Sequence, residues 1–196
     1  MRFKLKGLRG VVWINTLIIA MLFLALSAYA GTVNLPQTGQ TPSYDANSPQ
    51  RDDGAIRAGV AWPNPRFTSN GDQTITDNLT GLVWTKDANL AGTYKTWQQA
   101  LDYVASMNSG AGTYGYTDWR LPNINELESL VHEGWANPST WLNSQGFINV
   151  QSDYYWSSAS YAGNTSVAWI VYLNGGDVNA SDKSDSLYVW PVRSGQ

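Results

Sequence analysis

Between residues 96 and 107 the apolar side chains recur at helical spacing, with Trp97, Ala100, Leu101, Val104 and Met107 on one face. Thr96 precedes them with Gln99 three residues on, and Gly110 follows, so the pattern predicts a capped amphipathic helix. A second stripe, Ile124, Leu127, Leu130 and Val131, follows the run DWRLPN and extends toward Gly134. There Pro122 biases Leu121 toward extended backbone, Asn123 is a good N-cap and Glu126 occupies the third helical position. Glu126 is therefore assigned to the cap, while Glu128 and Glu133 are expected to face solvent. His132 is expected in the last turn, where a partly cationic ring is favoured.

Period-two alternation takes over elsewhere. In FTSNGDQTITDNLTGLVW (67–84) two turn signals, Asn70-Gly71 and Asn78 to Gly81, bracket a short alternating segment and predict strands joined by tight turns. ANPSTWLNSQGFINVQ (136–151) shows no period and is expected to be irregular. YYWSSAS, SVAWIVYL and SLYVWPVR are β-branched and aromatic, NGGD (174–177) between the last two is a hairpin-type turn, and Pro191 implies an edge or a bulge. The prediction is an α+β domain with two helices early and a mostly antiparallel sheet late.

The N-terminus changes the picture of where this domain works. Arg2, Lys4, Lys6 and Arg9 precede an apolar run and an Ala28-Tyr29-Ala30 exit, the layout of a signal peptide over residues 1–30. An uncleaved anchor is the alternative; after cleavage no membrane segment is expected, and the protein is secreted, periplasmic or at the cell surface. Residues 31–58 are rich in Pro, Gly, Ser, Thr, Asn and Asp and are assigned as an irregular segment, with the domain at 59–196. Losing residues 1–30 removes four of the 12 Lys+Arg and none of the 15 Asp+Glu, leaving eight positive charges against 15 negative, a net −7. Nucleic acid and anionic membranes are poor partners for such a chain.

With no cysteine and one histidine, thiolate chemistry, disulfides and Cys-ligated metals are excluded and His-based sites are reduced to His132. Asn70, Asp72, Thr74 and Asp77 present oxygens at alternating positions, a weak candidate for calcium that lacks the EF-hand pattern; no other cofactor is expected. No nucleophile elbow, phosphate loop or zinc-protease motif is present, so no catalytic residue is assigned. The ten Trp and 11 Tyr are the outstanding feature. Tyr154, Tyr155, Trp156, Tyr161, Trp169, Tyr172, Tyr188 and Trp190 exceed what a thin core can hold, so some are expected on a surface among Ser, Asn and Asp. Such mixtures make adaptable binding surfaces. The assigned ligand-binding residues are Tyr154, Tyr155, Tyr161, Asn164, Trp169, Asn174, Asp177, Asn179 and Asp182.

RFTSNGDQTITDNLTGLVWTKDANL, TWQQALDYV, DWRLPNINELESLV, YWSSASYAGNTSVAWIVYLNGG and YVWPVRSGQ, in that order, resemble the Lcl C-terminal domain family of exported bacterial proteins. The similarity reaches back to about Pro36, which brings residues 36–66 into the domain. That family resembles in turn the C-type-lectin-like superfamily, whose sulfatase-modifying branch has a similar W-R-L-P corner and a terminal V-R strand. Here these are Trp119-Arg120-Leu121-Pro122 with Glu126-Leu127, and Val189 to Arg193. The resemblance implies a compact domain of two helices around a twisted antiparallel sheet, with Arg120, Glu126 and Arg193 in structural roles. It also implies adhesion or ligand binding to a glycan or protein rather than catalysis, since the modifying chemistry needs cysteines. A structural or assembly subunit of an envelope complex and a hypervariable receptor of a diversity-generating element are the alternatives.

Overall fold

The computed structural model describes residues 35–195, so the signal-peptide expectation falls outside the described residues. Residues from Leu35 onward form one compact unit. Its elements are α1 (Asp53–Ile56), β1 (Phe67–Ser69), β2 (Thr74–Asp77), β3 (Leu82–Thr85), α2 (Trp97–Ser106), α3 (Ile124–Glu128), α4 (Pro138–Ser144), β4 (Tyr154–Ser160), β5 (Val167–Tyr172), β6 (Val178–Asp182) and β7 (Val192–Ser194). The class is α+β, with the strands in two antiparallel sheets ordered β1-β2-β3-β7 and β4-β5-β6. The last strand returns beside one of the first, with Leu82 opposite Ser194 and Trp84 opposite Val192.

The second sheet is covered on both faces, and this explains its composition. Tyr155 and Val171 point into one core with Trp84, Phe147, Trp190 and Leu127. Their neighbours Trp156, Ala168 and Ile170 point the other way, into a second core with Ala100, Val104 and Trp119. A strand buried on both sides reads as a continuous apolar run rather than an alternation. The expectation of one thin core is corrected accordingly: Tyr155, Trp156 and Trp190 are all fully buried.

Helix α2 begins where predicted, with both arms of the Thr96/Gln99 capping box formed, and buries Ala100 and Val104. Helix α3 starts at the predicted cap but stops at Glu128, well short of Gly134. Leu130 and Val131 donate instead to carbonyls three residues back, Leu127 and Glu128, which tightens the chain out of the helix while keeping both side chains buried. Residues 136–151, expected to be irregular, contain α4, capped by Asn137 with Pro138 at its first position. The described residues thus hold four helices, two more than predicted.

Two further corrections concern the C-terminal third. The NGGD turn joins β5 to β6, a strand of mostly exposed residues that was not predicted. SLYVWPVR is not one strand: Leu187 and Tyr188 make single bridges to Lys95 and Tyr155, and only the residues after Pro191 pair with β3. At the other end, residues 36–62 are folded on themselves by hydrogen bonds from Gln37 N to Val60 O (3.0 Å) and from Trp62 Nε1 to Gln37 O (2.6 Å), and Glu133 N donates to Thr38 O (3.0 Å), which ties the segment to the rest of the domain.

Candidate functional site

Three groups of polar residues have structural occupations. At the DWRLP corner, the Arg120 guanidinium donates twice to Glu126, each bond 2.6 Å, and Glu126 also accepts from Asn123 N at 2.8 Å. Burial pushes the Glu126 carboxyl up, but the Arg120 hydrogen bonds, the Asn123 N–H and the guanidinium charge outweigh it and hold the group below its ordinary range. Arg193 donates from Nε to Asp118 at 2.7 Å and lies over the Tyr116 ring, 4.0 Å from its centre. Trp119 beside them is buried, its indole N–H on Thr113 O at 2.9 Å.

The calcium candidates are engaged in hydrogen bonds within the protein. Asp77 is fully buried and paired with Arg66 at 3.2 Å, and it also accepts from Leu79 N and Thr80. Asp72 accepts from Thr74 and from the Tyr116 hydroxyl at 2.8 Å. These bonds, that from Thr74 first, hold its carboxyl below the usual value despite some burial. Asn70 bonds to Thr74 and Thr76. Among the described residues no group of three or more His, Cys, Asp or Glu could hold a metal ion.

His132 is corrected as well. It lies beyond the end of α3, half-buried, with its ring 4.8 Å from that of Trp62 and 4.7 Å from that of Trp141. Arg66 belongs to the same aromatic stack, 4.0 Å above Trp62. Burial first, and the Arg66 charge second, push the imidazole below its ordinary pKa, the reverse of the cationic ring that a helix C-terminus would favour.

The nine assigned ligand residues do not converge. The β4–β5 register sets Tyr154 opposite Tyr172 at one end of the sheet and Ser160 opposite Ala168 at the other. At about 3.3 Å per residue the two ends lie well over 10 Å apart. Tyr161, Asn164 and Trp169 gather at the second end, where the exposed Tyr161 ring meets Trp169 edge-on at 5.2 Å and Asn164 accepts from Ser166 to hold the loop. Asp182, opposite Val167, is at that end too. Asn179 is exposed on β6, opposite Ile170. Tyr155 belongs to the core, its hydroxyl accepting from Gln151 N at 2.8 Å and pushed upward in pKa by burial, so it offers no surface.

The first end is the more elaborate. Tyr154 and Tyr172 stack with ring centres 4.3 Å apart and planes 22° apart, both half-buried. Asn174 donates to the Tyr172 hydroxyl at 3.0 Å and accepts from Asn137, which also reaches Ser152. Asp177 lies exposed in the adjoining turn, its backbone carbonyl accepting from Tyr172 N. On the flank, Tyr94 packs on Tyr188 at 4.4 Å and donates to Asp153 at 3.2 Å. The Tyr188 hydroxyl beside it, then burial and the Asp153 charge, push the Tyr94 hydroxyl up to about 12. Tyr94, Asp153 and Asn137 were not assigned from sequence, and Tyr172 and Tyr188 entered only among the eight aromatics of which some were expected on a surface. Tyr94 is 59 residues from Asp153, and only the fold brings them together.

No curated protein matches the chain. The model of the Lcl C-terminal domain matches residues 73–193, from the turn before β2 to the arginine of β7, and leaves the N-terminal segment outside. That match takes in the second core and, apart from Phe67, the buried residues of the first, together with the Arg120–Glu126 corner and the tyrosine-lined end of the sheet, and on it the chain belongs to the Lcl C-terminal domain family.

Proposed function

We propose that the protein is an exported, non-enzymatic binding module that takes a glycan or a protein on the tyrosine-lined end of its second sheet. The observation that carries this reading is the stacked Tyr154–Tyr172 pair with Asn174, Asn137 and Ser152 bonded around it and Tyr94–Tyr188–Asp153 on its flank. Aromatic rings give area at low entropic cost and the amides and carboxylate give directional bonds, the combination that adaptable recognition surfaces use. The one hydrogen-bonded carboxylate of this surface favours neutral or amine-bearing ligands over polyanions, in keeping with the acidic chain. The non-enzymatic part of the reading is supported by the fate of the residue that most resembled chemistry, since Glu126 is committed to Arg120 and the helix cap. We place the fold in the C-type-lectin-like superfamily on the W-R-L-P corner and the terminal V-R strand, whose arginines the Glu126 and Asp118 ion pairs hold.

The test is a glycan array and a protein pull-down with the chain from Gly31, compared with Tyr94→Ala and Asp153→Ala together. Binding by the native chain, lost in the double variant at an unchanged melting temperature, is the expected result. Binding retained in the double variant overturns this choice of surface.

A further inference from the structure

The folded-back N-terminal segment leaves a cleft that no sequence pattern marks. It has a volume of about 220 Å³ and is lined by Pro36, Thr38, Trp62, Val131, Glu128 and Glu133 among others. Glu128 and Glu133 are exposed, and neither side chain has a hydrogen bond or ion pair among the described residues. The cations nearby in sequence or packing do not neutralise them. Arg66 is buried and held by Asp77, Arg57 donates to the Gly54 and Thr41 carbonyls, and His132 is held below its ordinary pKa by burial and by Arg66. A carboxylate-bearing cleft with an indole and apolar walls is complementary to a cation on an aliphatic stem, because the stem packs while the head pairs and lies near an aromatic face.

Its size narrows the occupant. The volume is below the roughly 300–1,000 Å³ typical of pockets for drug-sized ligands and matches a single long side chain. Its surroundings point to a macromolecule behind that side chain. Leu35 and Val60, joined by a 2.8 Å hydrogen bond, are 67% and 45% exposed, and Trp135, two residues after Glu133, is 46% exposed. Exposed aliphatic and aromatic residues beside a small anchoring cleft have the anatomy of a protein interface. We propose that this cleft is a docking site for a lysine or arginine side chain presented by a partner protein.

The test uses 1H–15N NMR of the chain titrated with Nα-acetyl-lysine N-methylamide. Saturable shifts confined to the amides of Thr38, Ser129 and Glu133 and the Trp62 indole N–H are expected, with the norleucine counterpart leaving them in place. The Glu128→Gln, Glu133→Gln double variant should keep the native spectrum, since neither carboxylate has a partner among the described residues, and bind at least about tenfold more weakly. Equal shifts from the norleucine compound, or no saturable shift at these residues, overturn the proposal. Tighter binding of 1,5-diaminopentane than of the lysine amide overturns its protein part, because the site would then be built for a free amine. The tyrosine-lined end of the sheet takes no part in this experiment, so its outcome is separable from the glycan and pull-down results.

Discussion

Arg66 and Asp77 show how a single pair of residues holds this molecule together. Both are almost completely buried, and Arg66 lies over Trp62 while donating to Asp77 and to the Ser129 carbonyl. Removing one partner of such a pair leaves an uncompensated buried charge. Asp77→Asn is expected to lower the unfolding free energy by about 3–5 kcal/mol, read from urea denaturation. His132, in the same stack, gives the pH dependence. Its pKa is lower folded than the ordinary 6.5, so below about pH 6.5 the unfolded chain binds the extra proton more readily. Stability should therefore fall as the pH drops from 6.5 toward the folded pKa. Comparing melting temperatures across that range with those of His132→Asn should show this component of the slope disappear. Gly112 carries a third prediction: its φ is +72° and an added Cβ would meet the Tyr116 carbonyl oxygen at 1.9 Å. Gly112→Ala should destabilise the chain and disturb the Tyr116 ring over Arg193, visible as a lower melting temperature and shifted tyrosine resonances.

At the scale of elements, legibility followed the strength of the local signal. Thr96/Gln99 and Asn123/Glu126 are spelled out within four residues each, and both boxes form. Asn123→Ala should cost about 1 kcal/mol, measured by denaturation, because the Glu126 backbone N–H loses the Asn123 Oδ1 while the Glu126 carboxylate keeps the backbone N–H of residue 123. Helix α4 was missed because Trp141 and Leu142 are adjacent and make no periodic stripe, although Asn137-Pro138 is a legitimate start signal. Strand β6 was missed because it is polar and mostly exposed, so neither alternation nor an apolar run marks it; β5 supplies its backbone partners. The end of α3 was placed too late because Leu130 and Val131 continue the apolar stripe while their amides have already left the helical ladder.

At the scale of the whole molecule, the N-terminal segment is the testable part. Residues 36–62 contribute Trp62 to the Arg66 stack and Thr38 to the backbone bond from Glu133. A chain beginning at Pro63 should melt at a lower temperature than one beginning at Leu35, and the Trp62-dependent shielding of His132 should go with it. Equal melting temperatures would mean that the segment only rests on the domain.

Local order in the chain was enough to determine the α+β class, the two capping boxes, the early hairpins and the family, because each depends on residues close together or on motifs in fixed order. The capping role of Glu126 was also legible in the sequence, through spacing alone. Tertiary structure alone decided which aromatics are core. Tyr154 and Tyr155 are chemically identical neighbours, yet pleating sends one ring to a stacked pair at the end of the sheet and the other into the larger core. The same rule, with the β4–β5 register, put seven of the nine candidate residues at one end of the sheet or the other, left Asn179 between them and buried Tyr155, while the fold brought Tyr94 to Asp153 from far along the chain. Such placements depend on which elements meet across space, and no pattern within a single segment encodes that.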